Sequence, residues 1–169
     1  TSGTNAIPGI ARAWVDSTPI LVISGQDRIK SDGEVDTRQL GNKSLNIIDI
    51  VKPITKYAES ITDPKMIDIH LNESYEKMTE GRPGPVWLDV PLDIQSKYID
   101  LKKIKKFKSI IKVKKNNINF SFVEKSIKNS NRPVVIIGNG LHTSKSEAEF
   151  RELLKIIGIP VISSWNASD

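Results

Sequence analysis

Gly81-Arg82-Pro83-Gly84-Pro85-Val86-Trp87-Leu88-Asp89-Val90-Pro91 sets two glycines and two prolines directly against a short apolar run. Proline fixes φ and removes a donor, and glycine admits backbone angles closed to other residues, so the stretch reads as an ordered junction. Val86 to Val90 has the continuous apolar character of a strand in a parallel sheet covered on both faces, and Pro91 stops it. Asp89 inside that run must be hydrogen-bonded, because an unpaired buried acid is costly.

Working back from the junction, Gly81 is placed to end a helix. Its start is marked by Asp63-Pro64, an N-cap acceptor followed by proline, and Ile67, Leu71, Tyr75 and Met78 recur on one face. Ile54 to Ala58 predicts a short strand. Asn46 to Val51 is apolar with an acid in it, and 27–42 reads as a polar surface loop with a turn at Asp32-Gly33. Ile20 to Ile23 predicts a strand buried on both faces, with Gly25-Gln26 at its carboxyl end, where ligands of open α/β sheets bind. Asn5 to Val15 predicts a helix capped by Thr4, with Pro8 in the first turn.

Working forward, the composition changes after Gln95 to lysine, isoleucine and asparagine, a linker over 96–119. Its Lys102–Lys115 portion holds eight lysines and no acid, so the net charge of +5 leaves the rest of the chain at −3. Lacking arginine and repeated aromatic platforms, it reads as a solvated connector and not as a nucleic-acid site. Beyond it, Phe122, Val123 and Ile127 suggest a short helix. Pro133 to Ile137 is a buried strand running into Gly138-Asn139-Gly140. Ser144 and Glu147 have capping-box spacing, Phe150 to Ile157 carry an apolar stripe, Gly158 ends that helix, and Ile159 to Ile162 is the next strand. This βαβ unit completes an α/β fold class: three-layer parallel sheets with flanking helices, in two partial domains (1–95 and 120–169) joined by the lysine-rich linker.

The chain has 169 residues, an apolar fraction of 38% and no cysteine, which excludes disulfides, thiolate metal sites and cysteine nucleophiles. There is no run near the ~20 apolar residues that cross a bilayer. A soluble, cytoplasmic protein without membrane or nucleic-acid partners is expected. Chemistry-bearing patterns are sparse. No serine sits in a nucleophile elbow, and His70 and His142 lack metal-ligand spacing. His142 follows the glycine turn with no paired acid evident. Gly138-Asn139-Gly140 at a strand end can receive a phosphate on backbone N–H groups, or simply form a tight strand-to-helix turn.

The string Gly81 to Gln95, GRPGPVWLDVPLDIQ, resembles the end of the pyrimidine-binding domain of thiamine diphosphate-dependent enzymes of the acetolactate synthase-like group. Thr4 to Ala11, Asp16 to Pro19 and Ile23 to Gln26 are similar to an earlier part of that domain, and Arg132 to Gly140 with Ile159 to Asn166 to the opening of the central domain. The resemblance implies an internal piece of a longer three-domain enzyme acting on a 2-oxo acid, with thiamine diphosphate and magnesium held by ligands outside this chain. It also implies a homodimer or tetramer with active sites between subunits. No catalytic and no metal-binding residue falls within the chain. Thr4, Asn5 and Gln26 match positions near the cofactor or substrate, their alternatives being helix capping and turn stabilisation. The turn Gly138, Asn139 and Gly140 matches one that contacts FAD in relatives. Departures are the missing Gly-Pro-Gly before Thr4-Asn5, Lys43-Ser44 in place of Gln-Glu, Lys52 in place of an arginine, and no Gly-Asp-Gly. These leave two rivals: a non-catalytic binding or scaffolding protein with the same fold, and a nucleotide-binding regulatory module.

Overall fold

A computed structural model describes residues 2–29, 44–108 and 118–167. The loop expected over 27–42 and the Lys43 departure lie largely or wholly outside these residues. The chain divides into two compact units, Thr1–Val113 and Lys114–Asp169.

In the first unit a tight helical turn, Ser2–Ala6, leads into α1 (Ile7–Asp16). Thr4 therefore lies inside the preceding turn, and α1 is entered at Ala6 without a side-chain cap, with Pro8 in its first turn. Strand β1 (Leu21–Gln26) follows, then α2 (Ile47–Val51), where the Asn46 side chain caps by accepting from the Asp49 N–H. Strand β2 (Tyr57–Ser60) starts later than the sequence suggests, because Pro53 holds Lys52–Ile54 in a helical turn. Asp63 caps as expected, accepting from the Lys65 N–H at 2.9 Å. One tight turn then precedes α3 (Ile67–Thr79). Strand β3 (Val86–Pro91), a single turn, α4 (Leu92–Gln95), and a tight helical turn at Leu101–Lys103 follow.

The strands form a parallel sheet in the order β1-β3-β2, with Leu21 opposite Val86, Gln26 opposite Pro91 and Ser60 opposite Asp89. Side chains alternate between faces along β3. Trp87 faces a core of Ile10, Ile47, Val51 and Ala58 on the α1/α2 side. Leu88 faces Ile61 and Ile94, with Ile67 packed against them, on the α3/α4 side. Helices on both faces make the three layers and explain why the central strand is apolar throughout. β1 departs from expectation: Leu21 and Ile23 stand 37% and 60% exposed. Among the described residues it is an edge strand, and the helix cover that buries β3 does not extend over this face of it.

The junction is an ordered clasp. Arg82 donates from Nε to Ser17 Oγ at 2.6 Å and from Nη2 to Val15 O at 3.1 Å, closing the carboxyl end of α1. Lys56 Nζ donates to the carbonyls of Glu80 and, at 2.9 Å, Arg82. Gly81 holds φ +59°, a conformation glycine adopts without strain. The lysine-rich stretch is partly docked. The N–H of Lys105 donates to Lys65 O at 3.0 Å and that of Phe107 to Asp68 Oδ2 at 2.9 Å, so this segment lies against α3.

The second unit contains α5 (Phe120–Lys128), β4 (Val135–Ile137), α6 (Gly140–Ser144), α7 (Glu147–Ile157) and β5 (Val161–Ser163), with β4 and β5 parallel. The expected βαβ order is present, but the strands are not buried, and Ile136 is 76% exposed. Two strands and their helices make too small a structure to enclose a core. Helix α7 begins after Ser146 and not after Ser144, because Ser144 closes α6 and Lys145 turns back at φ 55°. Gly158 ends α7 with φ +59°, as its position predicts.

Candidate functional site

The carboxyl ends of β1 and β3 border a groove of about 500 Å³ whose walls include Gly3, Ser24, Gly25, Gln26, Trp87 and Leu92. A one-water cavity of about 20 Å³ adjoins it, bordered by Gly3, Thr4, Gln26, Leu45 and Ile47. This is the place that sheet topology favours for a ligand. Thr4 and Gln26 are brought together there, although they lie in different elements. Asn5 is exposed and lines neither hollow. Gly138, Asn139 and Gly140 lie in the second unit. There α6 starts at Gly140, Leu141 N–H donates to Gly138 O at 3.0 Å and Thr143 N–H to Asn139 O at 3.1 Å, a tight turn closed on itself.

Behind the groove lies a polar network that sequence reading reached only as far as Asp89. Trp87 Nε1–H donates to Ser24 Oγ at 2.8 Å, and Ser24 donates to Asp89 Oδ1 at 2.5 Å. Asp89 is 3% exposed, and burial pushes its carboxyl above the usual carboxylate range, while Ser24 and the nearby Gln26 pull the other way. Gln26 is committed twice: Nε2 donates to Leu45 O at 2.5 Å and Oε1 accepts the Asp27 N–H at 3.1 Å. The close fit extends to the glycines. A Cβ on Gly3 would stand 3.3 Å from Trp87 Cζ2, and one on Gly25 3.2 Å from Gln95 Nε2.

Asp27 is the one charged side chain among the described residues that line the groove. With the Asp89 carboxyl behind it, this wall offers acceptors and, among the described residues, no cationic side chain. Chemically it suits a neutral or donor-bearing group and opposes an anion such as a diphosphate.

The two histidines do have partners. His142 Nδ1 lies 2.9 Å from Glu147 Oε1, which corrects the expectation that no acid stands near it. The reversal at Lys145 brings α7 back onto α6, so a separation of five residues, which no single helix would bring face to face, becomes a contact. Glu147 is held below its usual range by a backbone hydrogen bond and by His142. His70 Nδ1 is 2.7 Å from Tyr57 Oη, and the Tyr57 hydroxyl is pushed up by burial and by Glu73 and Glu59. Among the described residues no group of three or more candidate ligands could hold a metal ion. No helix there is long and apolar enough to cross a membrane.

No protein-family profile matches the chain. Over 97% of its length it is 33% identical to a probable acetolactate synthase large subunit of Methanocaldococcus jannaschii. It is 31% identical to acetolactate synthase 2, chloroplastic, of Nicotiana tabacum, and 33% identical to the acetolactate synthase large subunit of Lactococcus lactis subsp. lactis, again over 97% of the chain. The chain spans 28%, 25% and 29% of these relatives.

Proposed function

We infer that this chain, acetolactate synthase-like over 97% of its length, is part of a thiamine diphosphate-dependent enzyme acting on 2-oxo acids. Its first unit would be the latter part of the pyrimidine-binding domain, supplying the pyrimidine-side wall of the cofactor site, and its second the opening βαβ unit of the central domain. The intact protein would be a transferase or lyase of the carboligase or decarboxylase kind, working in the cytoplasm as a homodimer or tetramer. The segment alone would be inactive.

The observation that carries this reading is that extended similarity, joined to a groove at the carboxyl ends of β1 and β3 where Thr4 and Gln26 converge. The residues fit one end of the cofactor. An acceptor-lined wall with no cationic side chain among the described residues suits the amino group of the aminopyrimidine, with Thr4 and the Gly3 and Gly25 backbone at its edge. The same wall does not suit the diphosphate, in keeping with magnesium and diphosphate ligands lying elsewhere in the full-length polypeptide. When bound, the cofactor supplies the stabilised carbanion that 2-oxo acid chemistry needs. This segment would orient the ring and exclude water from that side. The Gly138–Gly140 turn is proposed as a contact for FAD through its backbone.

The test is calorimetric titration of the full-length protein with thiamine diphosphate and magnesium, followed by pyruvate turnover. Saturable binding at micromolar to millimolar cofactor is expected, and an absence of binding heat at millimolar cofactor would overturn the reading.

A further inference from the structure

We infer that Ser24 is a positioning residue for the groove: its hydroxyl fixes the indole of Trp87, and that ring seats the turn carrying Gly3 and Thr4 at the groove's edge. The ligand-facing part of this inference rests on the function proposed above.

The first step is one of donors and acceptors. An indole N–H only donates, a carboxylate only accepts, and a serine hydroxyl has one proton to give. Ser24 gives that proton to Asp89 Oδ1, 2.5 Å away, which leaves its lone pairs for Trp87 Nε1 at 2.8 Å. Ser24 and Asp89 stand opposite each other on β1 and β3, and Trp87 lies two residues before Asp89, so all three share one face of the sheet. Trp87 is 0% exposed, and the core beside it, Ile10, Ile47, Val51 and Ala58, offers no side-chain acceptor. Turning the ring would therefore leave a buried N–H without a side-chain partner. Ser24 thus selects one orientation of the largest side chain in this core. The second step is contact. In an indole, Nε1 and Cζ2 are bonded to the same carbon, so anchoring the nitrogen also places Cζ2. Gly3 comes so close to that atom that a Cβ on it would stand 3.3 Å away. Gly3 belongs to the Ser2–Ala6 turn, whose Ala6 packs against the same core. Gly3 borders both the groove and the small cavity, and Thr4 borders the cavity. The ring is the floor on which this turn rests, and freedom in the ring becomes freedom in the turn.

The test is made in the full-length polypeptide with Ser24→Thr, Ser24→Val, Trp87→Phe and the double variant of the last two. Threonine keeps the hydroxyl, and valine has nearly the same shape without it. Without ligand, Ser24→Val should speed amide hydrogen exchange at Asn5 to Ile10 about tenfold relative to α3, which packs on the opposite face of the sheet. Ser24→Thr should leave that ratio unchanged. An equal rise in α3 would mean that the serine acts through global stability alone, and the inference would fall. It would also fall if the threonine and valine variants behaved alike. The double variant should be no faster than Trp87→Phe, because without an indole N–H the hydroxyl has no ring to hold. An acceleration equal to the product of the two singles would show that Ser24 acts on the turn by another route. If Ser24→Val fails to fold, Trp87→Phe decides, since it keeps a ring and loses the N–H; unchanged exchange at Asn5 to Ile10 would overturn the inference. The dissociation constant for thiamine diphosphate should rise about tenfold in Ser24→Val and stay as it is in Ser24→Thr. Faster exchange with unchanged affinity would break the link to the ligand. Should the native protein bind no thiamine diphosphate, the proposed function fails, and the exchange measurements still decide the role of Ser24.

Discussion

Asp89 also makes a prediction about stability. Its folded carboxyl stands above the ordinary value of 3.8 because of burial. An acid raised in this way binds more protons folded than unfolded, so its contribution is most favourable below 3.8 and declines as pH rises through the folded value. Urea unfolding of the native chain and of Asp89→Asn across that range should show the native stability falling relative to the variant as pH increases. A constant difference would mean that the carboxyl is not desolvated. At this scale the problem is legible in the sequence and its solution is not. An acid inside an apolar strand demanded partners, but Ser24 lies 65 residues away, and pairing across a parallel sheet leaves no local trace. Arg82 is similar: its position beside Pro83 announced a turn, while its grip on Ser17, also 65 residues away, is a tertiary event.

Among the elements, the ones read correctly had their causes nearby. Asp63 before proline, the apolar run of β3 and Gly158 at the end of α7 each act within a few residues, and each is in place. The run of β1 is as apolar as that of β3 and predicts burial on both faces, but burial of an edge strand depends on how far neighbouring helices reach. Thr4 was displaced from its capping role by the turn that precedes α1. The two left-handed positions flanking α7 give a paired prediction. Gly158, at φ +59°, should lose about 1 kcal/mol of stability as Gly158→Ala, whereas Lys145, at φ 55°, carries the opposite strain and should gain a comparable amount as Lys145→Gly. In the full-length polypeptide, thermal melts of the two variants should move in opposite directions, and a shared direction would refute the backbone argument.

At the scale of the molecule, the two units differ in kind. The first has two apolar cores on either side of a sheet, whereas among the described residues of the second Ala167 is the one buried apolar residue. A polypeptide of residues 114–169 should therefore show no cooperative melt by circular dichroism, while residues 1–113 should melt as one transition; a cooperative 114–169 would show that its helices suffice. Part of the stretch after Gln95 is held to the first unit, Lys105 by Lys65 in the turn ahead of α3 and Phe107 by Asp68 of α3. The edge position of β1 has a practical side. No described strand pairs with its outer margin, where backbone N–H and C=O groups stand beside exposed Ile23. Such margins recruit other chains. In a preparation of this segment by itself, light scattering should rise steeply with concentration, and colloidal stability more than unfolding would set how strong a solution can be made.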